Sequence, residues 1–141
     1  MSAKNNKQIK LVLSHKTKIL TSTNKILKIL DNAQDAYRFT NKQRLTIKQL
    51  FNQIVSEFST IASFCSPQEQ DRVNRIIEGI AKLNVHLDWE LAPLINYFCT
   101  IINSITLDFN KTPMKFGREF NNKLGELETR FHAIFTGIQP D

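Results

Sequence analysis

The chain reads as an all-α protein, an antiparallel up-down helical bundle of four to five helices headed by a long basic N-terminal helix. Three observations predict this. Apolar residues recur with a helical period of about 3.6 residues through most of the sequence. Only four Gly and four Pro punctuate 141 residues, too few for an all-β fold rich in turns and too few for a disordered chain. The stretches between periodic segments are short, which favours antiparallel neighbours. The length and the 41% hydrophobic and 23% charged composition suit one globular domain, residues 1–141.

The first helix is expected from about Asn5 to Arg38. Leu13, Leu20 and Leu27 recur every seven residues, flanked by Val12, Ile19 and Ile26, and no Gly or Pro interrupts them. Uninterrupted, it measures about 50 Å, whereas a compact domain of this size is roughly 37 Å across. Residues 1–10, with Lys4, Lys7 and Lys10, are therefore expected to overhang as a projecting arm.

The second helix runs from about Asn41 to Phe64, with Thr40 and Gln43 as a capping box and an apolar stripe of Leu50, Phe51, Ile54, Phe58, Ile61 and Ala62. Ser66-Pro67-Gln68-Glu69 marks the third start: a cap, a first-turn proline and a box-completing glutamate. Val73, Ile76, Ile77, Ile80 and Leu83 then face the core. The fourth helix starts near Asp88–Pro93 and ends near Asp108, with Pro93 in its first turn. Thr112-Pro113 resembles another cap-plus-proline start, so the fifth helix is expected from there to a stop at Gly137. Gly117 and Gly125, eight residues apart, are expected to allow a close helix–helix approach on it.

Charge is unevenly laid out. Residues 1–48 hold eleven Lys/Arg against two Asp, and residues 49–141 hold eight Lys/Arg against eleven Asp/Glu. Between residues 4 and 30 there are seven lysines and no acidic residue. On a helical wheel Lys4, Lys7, Lys10, Lys18, Lys25 and Lys28 share one arc, spanning about 120° and interrupted only by Leu11 and Ile29. Lys16 falls on the apolar side, where its stem packs and its ammonium snorkels out. A solvated helix face usually mixes signs, because opposite charges three or four apart are mildly stabilising. A single-sign face instead attracts anions at long range. The face is nearly all lysine and carries no aromatic residue. It therefore suits phosphate contacts, sequence-nonspecific and salt-sensitive, rather than base reading or base stacking.

Residues 91–107, LAPLINYFCTIINSITL, carry no charge. Pro93, Asn96, Asn103 and Ser104 interrupt the run, and seventeen residues is short for a bilayer, so no membrane span is expected. Leu94, Ile95, Phe98, Ile102 and Ile105 form one face; Asn96, Thr100, Asn103 and Ser104 form the other. That polar, uncharged side is either buried by this chain or an interface for a protein partner or a second copy.

No catalytic constellation is found. His15, His86 and His132 lie on separate segments without ligand spacing, and Glu128 and His132 suit an exposed helix pair. There is no glycine-rich phosphate loop, no E-x-x-H pattern and no nucleophile elbow. Cys99 suits the core, and Cys65, at a helix end, is expected to be more exposed. Neither belongs to a C-x-x-C pair, and the N-terminus lacks the pattern of a secretory signal. Free thiols and a cytoplasmic location are expected. The sequence thus predicts a non-enzymatic interaction or assembly subunit, without cofactor or metal, that binds protein partners. The alternative is a small subunit of a nucleoprotein complex, contacting phosphates through the lysine face.

Overall fold

The computed structural model describes residues 3–137, and side chains from residue 6 to residue 136. The described residues form five α-helices: α1 (Ala3–Ala33), α2 (Asn41–Ala62), α3 (Pro67–Val85), α4 (Ala92–Asn103) and α5 (Arg118–Gly137). A 3-10 turn, Trp89–Leu91, leads into α4. Two short strands, β1 (Leu107–Asp108) and β2 (Lys115–Phe116), pair antiparallel before α5. Helices carry most of the described residues, in keeping with an all-α class.

The helices contact one another in a closed circuit. α1 packs on α2 and α4, α2 on α3, α3 on α5, and α5 on α4. Inside it Phe51, Phe58, Phe98 and Phe120 are almost wholly buried. Phe51 meets Phe98 at 5.5 Å between centroids, Phe98 meets Phe131 at 6.3 Å, and Phe116 meets Phe120 at 5.4 Å. Each such ring contributes about 1.5–3 kcal/mol by leaving water, and edge-to-face pairs add about 0.5–1.5 kcal/mol.

The buried line of α1 is Val12, Ile19, Ile26, Leu30 and Ala33. The expected leucine row stands to one side of it. Leu20 and Leu27 are half-buried and Leu13 is 41% exposed, because α2 and α4 close on the flanking residues. α1 ends at Ala33 instead of Arg38. The next residues form turns, and Tyr37 adopts φ 52°, which swings Phe39 down into the core. Thr40 then opens α2 with the expected capping box: Gln43 N–H donates to Thr40 Oγ1 at 3.0 Å, and Thr40 N–H to Gln43 Oε1 at 2.8 Å.

Ser66 precedes α3 with Pro67 in the first turn, but its side chain makes no cap hydrogen bond. Glu69 is drawn away to α5, where Asn121 Nδ2 donates to Glu69 Oε1 at 3.1 Å. α5 starts at Arg118 rather than at Thr112-Pro113. The backbone there is engaged elsewhere: Met114 N–H donates to Phe64 O and Ser66 N–H to Met114 O, and Lys115–Phe116 pairs with Leu107–Asp108. Those pairings also shorten α4 to Asn103. Gly117 accordingly lies before α5, packed on Thr106, and not on a helix face with Gly125.

Candidate functional site

α1 positions the lysines. It contains no Gly or Pro, and Thr17 and Thr21 donate back to Leu13 O and Thr17 O along the same helix. With Val12, Ile19 and Ile26 fixed in the core, the opposite arc faces solvent. Lys7, Lys10, Lys18, Lys25 and Lys28 are all exposed, and Lys16 is half-buried. Lys7, Lys18 and Lys25 form one row within about 20° around the axis, and Lys10 and Lys28 form a second row about 60° away. From Lys7 to Lys28 the face runs about 32 Å along the helix. Ser14 and Thr21 fill spaces between them, and exposed Leu11 interrupts the face beside Lys7 and Lys18. Among the described residues none of these five lysines forms a salt bridge. The Lys4 side chain lies outside the described ones. Half-buried Gln8 and Ile9 line a recess with Phe64, Phe109 and Met114, so α1 touches the body as far back as Gln8.

The uncharged residues of α4 are not gathered into one surface. Asn96 and Thr100 are exposed, with Thr100 Oγ1 donating to Asn96 O at 2.8 Å. Asn103 is half-buried against α1: Thr23 Oγ1 donates to Asn103 Oδ1 at 3.2 Å, and Asn103 Nδ2 to Asn24 Oδ1 at 3.4 Å. Ser104 Oγ donates to Ile101 O at 2.7 Å, at the end of the helix. The apolar side, including Leu94, Ile95, Phe98 and Ile102, is buried by this chain itself.

His15 lies on α1, His86 at the end of α3 and His132 on α5, and one of them makes a pairing that spacing could not show. His15 on α1 meets Glu57 on α2 through Nδ1 and Oε2, the two side chains being 17% and 11% exposed. A signal was legible: His15 sits three residues after Val12 and four before Ile19, and Glu57 sits likewise between Ile54 and Ile61. Each therefore falls on its helix's buried face, where a polar side chain needs a partner. Glu128 pairs with Arg75 of α3 at 2.7 Å rather than with His132. Both thiols are free and buried, Cys65 included, because Met114 covers it through the bridge between them. Burial, and secondarily the charge of Glu69, push the Cys65 thiol up to about 12. Burial raises Cys99 as well. Protonated thiols are poor nucleophiles. Among the described residues no three His, Cys, Asp or Glu side chains converge on a metal-sized site, and no helix is long and apolar enough to cross a membrane.

Comparison with known proteins gives no match, whether against family models, curated proteins or solved structures.

Proposed function

We propose that this protein is a non-enzymatic interaction subunit, an up-down bundle whose contact surface is the lysine face of α1 and whose partner is a nucleic acid held by its phosphates. The observation that supports it is the set of five exposed lysines, free of carboxylate partners among the described residues, in two rows along one face. An amphipathic helix needs only a polar outer face, and it gains a few tenths of a kcal/mol for each opposite-charge pair. Here the face forgoes such pairs and keeps one sign. A row of that length can follow a phosphate backbone with its ammonium groups as point charges, without reading bases.

The other reading is an assembly subunit that meets a protein partner through α4. It retains Asn96 and Thr100, since Asn103 and Ser104 are engaged with α1 and with the helix end.

Fluorescence anisotropy with a labelled random-sequence duplex at low salt tests the phosphate reading. Saturable binding is expected from the native chain, and loss of most of it from the triple variant Lys7→Glu, Lys18→Glu, Lys25→Glu. No binding at low salt would refute the function, and full binding by the triple variant would refute the face.

A further inference from the structure

At the C-terminal end of α1 a recess of about 300 Å³ opens toward the start of α4, lined by Leu30, Asp31, Gln34, Trp89, Pro93 and Asn96. Several independent features give it a preference for cations. Asp31 is exposed on its wall and, among the described residues, forms no salt bridge. α1 ends here with no basic residue in its last turn, so the negative end of its dipole is uncompensated. Trp89 supplies an indole, the aromatic group that attracts cations best. The ring is braced by Phe39 at 5.3 Å and by Tyr37 at 6.4 Å, meeting it at 64° and 80°. Tyr37 is itself 73% exposed, so it widens the aromatic surface. The segments that build the recess, residues 31–38 and 88–96, hold Asp31, Asp35, Asp88 and Glu90 against Arg38 alone. In a chain of net charge +6, this end is a local acidic exception.

We propose that this recess docks an arginine side chain presented by a basic segment of a partner protein. A guanidinium is planar and weakly hydrated, so it stacks on an aromatic ring while its N–H fork pairs with a carboxylate. The chain makes the stacking half of such a contact internally: Arg130 lies 4.0 Å over the Tyr97 ring. A lysine ammonium is a strongly hydrated point charge and gains less from both walls. The site adjoins the last lysine of that face, since Lys28 stands one turn before Asp31, but it takes a partner of opposite charge, so either assignment can fail without the other.

Trp89 is the sole tryptophan, so its emission reports on the recess directly. Titration of the full chain at low salt with tetra-arginine amide should give a saturable change in Trp89 fluorescence. Tetralysine should bind more weakly, and tetraglutamate should give no response. Asp31→Asn should weaken tetra-arginine binding by about tenfold, as loss of a charged hydrogen bond does. Gln34→Lys, at an exposed turn position, should abolish it by placing a competing cation in the recess, with circular dichroism unchanged. The proposal is overturned by no saturable response, by equal affinity for tetralysine, or by full binding in both variants. It is also overturned if Trp89 emission shifts with protein concentration alone and sedimentation shows a dimer, because a second copy then fills the recess.

Discussion

Gly79→Ala sets the packing of the two faces of one helix pair against intrinsic helix propensity. Gly79 is buried in the middle of α3, and by propensity alone Ala there would stabilise the helix by about 0.8–1 kcal/mol. The structure reverses the sign. A Cβ on Gly79 would lie 2.3, 2.7 and 2.9 Å from three ring atoms of Phe131 on α5. That ring is wedged between Phe98 at 6.3 Å and Phe135 at 6.1 Å, so it cannot swing aside without disturbing both. Overpacking of this kind costs about 1–3 kcal/mol. With three contacts below 3.0 Å the upper end applies, and the net loss is about 1–2 kcal/mol. Thermal unfolding followed by circular dichroism should show Tm falling by roughly 3–8 °C. Gly125→Ala is the control. Its Cβ would meet only Arg72 Nη1, at an ordinary 3.6 Å, so Tm should rise by the value of about 0.5–1 kcal/mol. A Gly79→Ala protein as stable as Gly125→Ala would refute the close α3–α5 approach.

Further outcomes follow from the caps, the thiols and the buried pair. Thr40→Ala should lose about 1 kcal/mol in urea unfolding, as removal of a working cap does, whereas Ser66→Ala should lose nothing, because Ser66 Oγ is buried without a partner. Cys65 and Cys99 should not react with a disulfide reagent at pH 8 until denaturant is added, when both should titrate. The folded Cys65 thiol holds its proton to about 12, against an ordinary 9.0 for the free thiol. The unfolded state therefore loses that proton first, and stability is full below pH 9 and falls from there toward pH 12. Between pH 9 and 10.5 the native chain should lose more stability than Cys65→Ala; parallel pH profiles would contradict the burial. His15→Ala strands the Glu57 carboxylate and should destabilise by about 2 kcal/mol, more than Glu57→Gln, which keeps a hydrogen-bonding group; equal losses would show that the charge of Glu57 is immaterial.

What was legible in the sequence follows the range of the interactions involved. The Thr40–Gln43 cap is a contact three residues apart, and both its sequence signature and its hydrogen bonds are present. Ser66-Pro67-Gln68-Glu69 has the same local signature, yet Glu69 turns to Asn121, fifty-two residues away. A distant partner outcompeted the local one, and periodicity carries no information about it. The same holds at Thr112-Pro113, where Met114 and Lys115 are drawn into pairing with Cys65 and Asp108, displacing the helix start to Arg118. The lysine arc was readable because a helix face depends only on spacing. The centre of the buried arc was not, since α2 and α4 decide between Leu13 and Val12. Glu57 and His15 stood on apolar faces in the sequence, but that each was the other's partner required the α1–α2 register. Gly79 looked unremarkable, because only the position of Phe131 makes it necessary.

The central proposal, phosphate contact through α1, is most directly tested by the salt dependence of binding to a random-sequence duplex. Contact by Lys7, Lys10, Lys18, Lys25 and Lys28 predicts a slope of log K against log salt near −4.5, at about 0.9 per phosphate neutralised. The triple variant Lys7→Gln, Lys18→Gln, Lys25→Gln should bring the slope to about −1.8. A slope near zero, or one the triple variant leaves unchanged, would contradict the account.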